Sequence, residues 1–382
     1  MDRELSYEQK KEIFSKRLQN ARKICVMSQA GLAEKTKEMA EKDSHYKSVS
    51  STAIERYENG VMLPDSEAVM KTLADALETT VENLMRPFTV SIDFSRFEFR
   101  KKSKLGKKAQ EAIILKIQQR VEKYVEIEQL IGEEPKFDVD FSSHEVRTFN
   151  DACNVAKMLR IKWHLGMGPI TQPIYVLEMN GVKVIEVEED SPDFDGTSNM
   201  VKGIPVIVIN SKDYSDRNGK KANNEERRRL TLFHELGHQV MNIPEDITDD
   251  KTRENLCNAF ANEMLLPSVT FKQIIGKKRN LISFAELKSV QESFGISVRA
   301  IMIKASQLEV ISQNRHTGFC KMLNSPVYSK IRNYLDGSLA PQQHASRFSS
   351  LVYRALTENT ISKEKAADLL SVPIDEINKM IS

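Results

Sequence analysis

The chain is poor in the features that mark several common protein classes. Its 382 residues include four cysteines, at 25, 153, 257 and 320, and none forms a close pair. A secreted disulfide scaffold is therefore not expected, and a cysteine-based zinc site is not indicated. Long apolar runs are also lacking. The longest are five or six residues, as at 204–209, against the roughly 20 needed to span a bilayer. Net charge is almost nil, because 56 Lys and Arg offset 54 Asp and Glu to leave +2. Bulk charge thus neither demands nor excludes a nucleic-acid partner. Charges occur throughout the first 25 residues, so no signal-peptide apolar core is present. These absences point to a reducing, cytoplasmic setting and away from membrane-spanning or fibrous proteins. What remains is 40% apolar and 29% charged residues, enough for a packed core, over a length that suggests two or three domains.

Periodicity organises the chain. Residues 8–86 read as a run of helices, with Ile13, Leu18, Ala21 and Ile24 at helical spacing and Arg86-Pro87 as the stop. Residues 88–94 alternate as a short strand would. Seven Lys or Arg then crowd into 96–108 against the single Glu98, a segment that serves either as a solvated linker or as a phosphate-contacting arm. A long amphipathic helix is predicted over 107–131 and another over 142–164, which carries the only tryptophan, Trp163. Strands are predicted at 181–188 and 205–210, separated by a loop with Pro192, Gly196 and Gly203. A polar stretch over 211–224 follows. Helices are expected at 225–242, 252–266, 284–293 and 297–309. The tail over 326–382 is helical in pattern, with turns at Asp336-Gly337 and Val372-Pro373.

One cluster carries chemistry. His234 and His238 flank Glu235 in the pattern HELGH. Positions i and i+4 lie one above the other on a helix face, so two imidazoles can share one Zn²⁺. The Glu between them need not be a ligand and can accept a proton from water. A catalytic zinc needs a third protein ligand and an open position. The next helix offers two acids, Glu254 and Glu263, and spacing alone does not choose between them. Tyr214, Arg217 and Arg227 are near in sequence as possible oxyanion donors.

The strings RRRLTLFHELGH and ENLCNAFANEMLLP resemble the ImmA/IrrE metallopeptidases, with matches at Glu254, Asn258, Phe260, Ala261 and Pro267. Cys257 stands where that family has Ala. The resemblance runs over roughly 100–320 and is most specific over 227–267. It implies that His234, His238 and Glu254 hold the zinc and that Glu235 is the catalytic base. It also implies intracellular proteolysis of DNA-bound repressors.

Residues 13–85 resemble the helix-turn-helix of the XRE, or lambda-repressor-like, family. The second helix begins SQAGLAEKT, the recognition helix is SSTAIERYENG, and LPDSEAVMKTLADALETTVENLM follows. The resemblance implies that Ser50, Ser51, Thr52 and Glu55 face base edges, with Gln29, Lys47 and Arg56 near the phosphate backbone. Residues 37–48 depart from the family, as an insertion in the turn or an extension of the second helix. The module is not basic: residues 1–86 carry fourteen Lys or Arg against fifteen Asp or Glu.

The resulting expectation is a mainly α chain with a small β-sheet (α+β). It comprises a five-helix helix-turn-helix domain over 8–86 and a strand, basic segment and linker helix over 87–135. A gluzincin-like zinc peptidase domain over 136–315 and a helical extension over 316–382 complete it. The expected function is a DNA-associated regulatory zinc protease. Its partners would be operator DNA and a repressor, an antitoxin-like protein or another copy of itself. No membrane partner is expected, and a homodimer is compatible with the C-terminal helices. The alternative is a DNA-binding regulator whose metal domain senses or scaffolds without cleaving.

Overall fold

A computed structural model describes residues 5–88, 106–133, 135–189, 194–201, 203–212, 224–335 and 343–380. Helices α1 (Tyr7–Ile24), α2 (Gln29–Lys42), α3 (Ser51–Glu58), α4 (Glu67–Ala76), α5 (Val81–Met85) and α6 (Lys107–Ile131) come first. Next are α7 (Phe149–Lys162), α8 (Pro173–Met179), β1 (Lys183–Val187), β2 (Gly196–Val201), β3 (Ile204–Asn210), α9 (Glu225–Val240) and α10 (Asp250–Leu265). Then follow α11 (Ser268–Ile275), α12 (Phe284–Phe294), α13 (Val298–Gln307), α14 (Gln313–Asn324) and α15 (Ser329–Leu335). The last three are α16 (Arg347–Thr357), α17 (Lys363–Leu370) and α18 (Ile374–Met380). The class is α+β, mostly helical with one small sheet. Among the described residues, no helix is long and apolar enough to cross a membrane.

The chain forms two compact units. One takes α1–α6 together with α16–α18, so the two ends of the sequence share a unit. The other takes the described residues from 135 to 345.

In the first unit, α1 starts at a capping box in which Ser6 and Gln9 satisfy each other's backbone N–H. Phe14, Leu18, Leu32, Ile54, Tyr57, Leu73 and Leu84 form the core of α1–α5. A separate core joins Tyr124 and Ile127 of α6 to Leu351, Val352, Ala355, Leu369 and Ile377 of the C-terminal helices. Buried charges link these parts. The Arg17 guanidinium lies 2.7 Å from Glu122, and Arg86 and Lys123 both converge on Asp368 of α17. The segment over 37–48 proves to be helix as far as Lys42. Asp43 ends α2, and its carboxylate accepts from the backbone N–H of His45.

In the second unit, the sheet has the order β1-β3-β2, with β1 parallel and β2 antiparallel to β3. The central strand β3 is buried through Val206, Ile207, Val208 and Ile209, as its continuous apolar run requires. Helix α10 packs on both α7 and α9 beside it, around Leu159, Leu232, Phe233, Leu236, Phe260 and Met264.

Several expectations need correction. The loop expected between the two predicted strands is in part β2. Its residues Gly196, Thr197, Ser198 and Asn199 show no apolar alternation, because this strand meets α9 through small and polar side chains. Helix α7 begins at Phe149, not 142, because a capping box of Thr148 and Asp151 starts it there. Helices α8 and α11 have no counterpart in the sequence reading. The strand expected over 88–94 lies outside the described residues except for Phe88. So does the basic run 96–108 except for Gly106, which precedes α6, and Lys107 and Lys108, which open it. The turn expected at 336–337 also lies outside them.

Candidate metal centre

Helix α9 carries HELGH and α10 carries both candidate acids. Asn224 caps α9 through the backbone N–H of Arg227, and Asp249 caps α10 through Thr252. The two helices pack closely at Gly237. A β-carbon there would sit 3.1 Å from the Phe260 ring, so the glycine of HELGH lets α10 reach the histidines.

Three donors converge. His234 Nε2 lies 3.1 Å from His238 Nε2. Glu254 offers Oε2 at 3.3 Å to His234 Nε2 and Oε1 at 3.4 Å to His238 Nε2. A tetrahedral zinc with bonds of about 2.0–2.1 Å sets its donors about 3.3–3.4 Å apart. The residues present therefore fit the ion in type, number and spacing. His234 is buried at 1% exposure, whereas His238 and Glu254 are open at 27% and 35%. One side of the cluster thus faces solvent, as a catalytic site requires.

The outer contacts fix the donors. Asn258 Oδ1 lies 3.0 Å from His234 Nδ1, which assigns the proton to Nδ1 and turns the Nε2 lone pair toward the cluster. Cys257 Sγ lies 3.4 Å from His238 Nδ1. Burial opposes a charge on His238, but the contacts with Cys257 and Glu254 and the nearby Glu235 carboxylate push its pKa up to about 11.

Glu263 is elsewhere. Its carboxylate is fully buried, 2.6 Å from Lys304 Nζ, and accepts the Ser268 backbone N–H at 2.9 Å. Burial works against its charge, yet Lys304 and Ser268 hold the carboxyl below the usual range. Of the two acids left open by spacing, the structure brings only Glu254 to the histidines.

Glu235 sits one residue along α9 from His234 and is buried. Its Oε2 accepts from Ser198 Oγ of β2 at 2.9 Å. Gln239 Nε2 donates to the same Ser198 Oγ at 2.9 Å. Sequence reasoning missed both partners. Gln239 was accessible to it, because Glu235 and Gln239 are one helical turn apart. Ser198 was not, because the strand that holds it was unread. Arg227 donates to Asp195 at 2.6 Å, and Tyr214 and Arg217 lie outside the described residues.

The residues expected to contact DNA fall in the first unit. Lys47, Ser50, Ser51, Thr52, Glu55 and Arg56 are all exposed, on and before α3, while Ile54, Tyr57 and Glu58 face inward. Ser50 caps α3 through Ala53. The Gln29 side-chain amide donates to Glu58 at 2.8 Å. Arg22 grips the same carboxylate at 2.6 and 2.7 Å.

A family model for peptidase M78, described as an IrrE N-terminal-like domain, matches residues 178–306. The match spans β1 through nearly all of α13 and contains His234, Glu235, His238 and Glu254. It supports the likeness to the ImmA/IrrE family over this part of the chain and suggests a metallopeptidase-like domain. No curated protein matches the chain.

Proposed function

We propose that the second unit is a zinc-dependent peptidase of the HExxH, gluzincin type. Its target would be a repressor or antitoxin-like regulator, or another copy of this chain, in the cytoplasm. The observation that carries the reading is the convergence of His234, His238 and Glu254 at tetrahedral spacing beside Glu235. When bound, zinc would supply Lewis-acid polarisation of the scissile carbonyl and ease ionisation of water. Glu235 takes the proton of the attacking water and passes it to the leaving amine. Strand β2 is an edge of its sheet among the described residues, which suits an extended peptide adding alongside it. The test is Glu235→Gln, co-expressed with a candidate repressor substrate. Regulator fragments should form with the wild type and not with the variant. If the Glu235→Gln protein regulates its promoter as well as the wild type does, proteolysis is not its mode of action and the sensing or scaffolding alternative takes over.

We further propose that α1–α5 form an XRE-type helix-turn-helix that brings the peptidase to a promoter. The support is the sequence resemblance together with the exposed face of α3. Lys47, Ser50, Ser51, Thr52, Glu55 and Arg56 would meet DNA, with Gln29 helping to orient α3 through Glu58. A mobility-shift series in rising salt on the gene's own upstream region tests this. A specific complex that weakens with salt supports it, and its absence overturns it.

A further inference from the structure

We infer that Ser198, supported by Gln239, positions Glu235 so that one carboxylate oxygen is held and the other is presented to the attacking water. The inference rests on the reading of Glu235 as the base. A serine hydroxyl has one proton to donate and two lone pairs to accept with. Gln239 Nε2 donates into Ser198 Oγ at 2.9 Å, so the single hydroxyl proton is directed at Glu235. Two acceptors of that residue lie within reach, Oε2 at 2.9 Å and the main-chain oxygen at 3.0 Å. The single proton goes to the charged acceptor Oε2, which makes the stronger bond of the two. Ser198 is buried on β2, and its strand is hydrogen-bonded to β3 from Gly196↔Ile209 to Val201↔Ile204. The hydroxyl is thus held by the sheet and not by a mobile loop. Gly196, two residues earlier on the same face, lets the strand come this close: a β-carbon there would lie 2.8 Å from Thr231 Cγ2 of α9.

With Oε2 committed, Oε1 is the oxygen left to face water. Without the hydroxyl, the carboxylate can rotate about its last torsion, which is broad for glutamate. Loss of orientation at a reacting group costs roughly 10- to 100-fold in rate. Ser198 and Gln239 act through Glu235 and are positioning residues.

The experiment uses the full-length zinc-loaded protein with two probes. One is a random mixture of fluorescence-quenched peptides. The other is acetohydroxamate, a small zinc chelator whose proton needs the base carboxylate as acceptor, followed by calorimetry. Ser198→Ala should keep zinc content and melting temperature, lower kcat roughly 10- to 100-fold at little change in KM, and weaken acetohydroxamate about tenfold. Ser198→Thr, which keeps the hydroxyl, should restore both readouts. Gln239→Met should have a smaller effect, since the hydroxyl can still reach Glu235. If Ser198→Ala matches wild type within twofold in both readouts while Glu235→Gln is inactive, the positioning role is overturned and the base survives. If Glu235→Gln itself equals wild type, both readings fall. Loss of zinc or of cooperative melting in Ser198→Ala and Ser198→Thr alike would show a structural role and also overturn the inference.

Discussion

Lys304 Nζ lies 2.6 Å from Glu263 Oε2, and both side chains are at most 1% exposed. This ion pair joins α13 to α10 and removes Glu263 from the competition for the metal. Truncating one partner of a buried pair leaves the other charge unpaired, which costs about 3–5 kcal/mol. Lys304→Ala should therefore lower the unfolding free energy of the second unit by that amount, read as a lower urea midpoint. If the fold survives, zinc content should be unchanged, because neither residue belongs to the His234, His238 and Glu254 cluster proposed to hold it.

The same pair has a pH signature. The Glu263 carboxyl is held low by Lys304 and Ser268 despite burial, so the unfolded chain binds its proton first on acidification. Its contribution is fully present above the unfolded value of about 4.3 and is lost as the pH falls through the lower folded value. Urea melts from pH 5 downward should show stability falling, with a shallower slope in Glu263→Gln.

The proposed metal ligands should separate cleanly from the other acids. Zinc analysis of the purified protein is expected to give about one ion per chain. His234→Ala and Glu254→Ala should each lose it, and chelation should lower the melting temperature of the wild type. Retention of a full equivalent by Glu254→Ala would remove that residue from the ligand set.

In the first unit, Asp368 is the counterpart of Arg86 and Lys123, and all three are buried. Thr80 also donates to it at 3.2 Å. Asp368→Ala removes the nearest carboxylate of the buried Arg86 and should cost about 3–5 kcal/mol, while Lys123 keeps its bond to the main-chain oxygen at 368. Because Asp368 belongs to α17 and Arg86 follows α5, the loss should appear as destabilisation of the N-terminal helices when followed by hydrogen exchange. Destabilisation confined to α16–α18 would contradict this linkage.

The sequence was most legible where one short element holds the chemistry. HELGH lies on one helix, so i,i+4 geometry alone places His234, Glu235 and His238 together. The choice of Glu254 over Glu263 depends on how α10 returns across α9. That return is set by Gly237, Phe260 and the α9–α10 loop, and spacing does not reveal it. Ser198 was hidden because β2 breaks the alternating pattern that marks a strand. The union of α6 with α16–α18 was equally hidden, since Lys123 and Asp368 are 245 residues apart and no local signal connects them.

The central claim is that Glu235 acts as a base beside a metal held by its neighbours. The most direct measurement pairs zinc analysis with cleavage of a co-expressed regulator by Glu235→Gln. The expected result is about one zinc per chain and no cleavage, against cleavage by the wild type. Wild-type cleavage by a zinc-replete Glu235→Gln protein would contradict the claim.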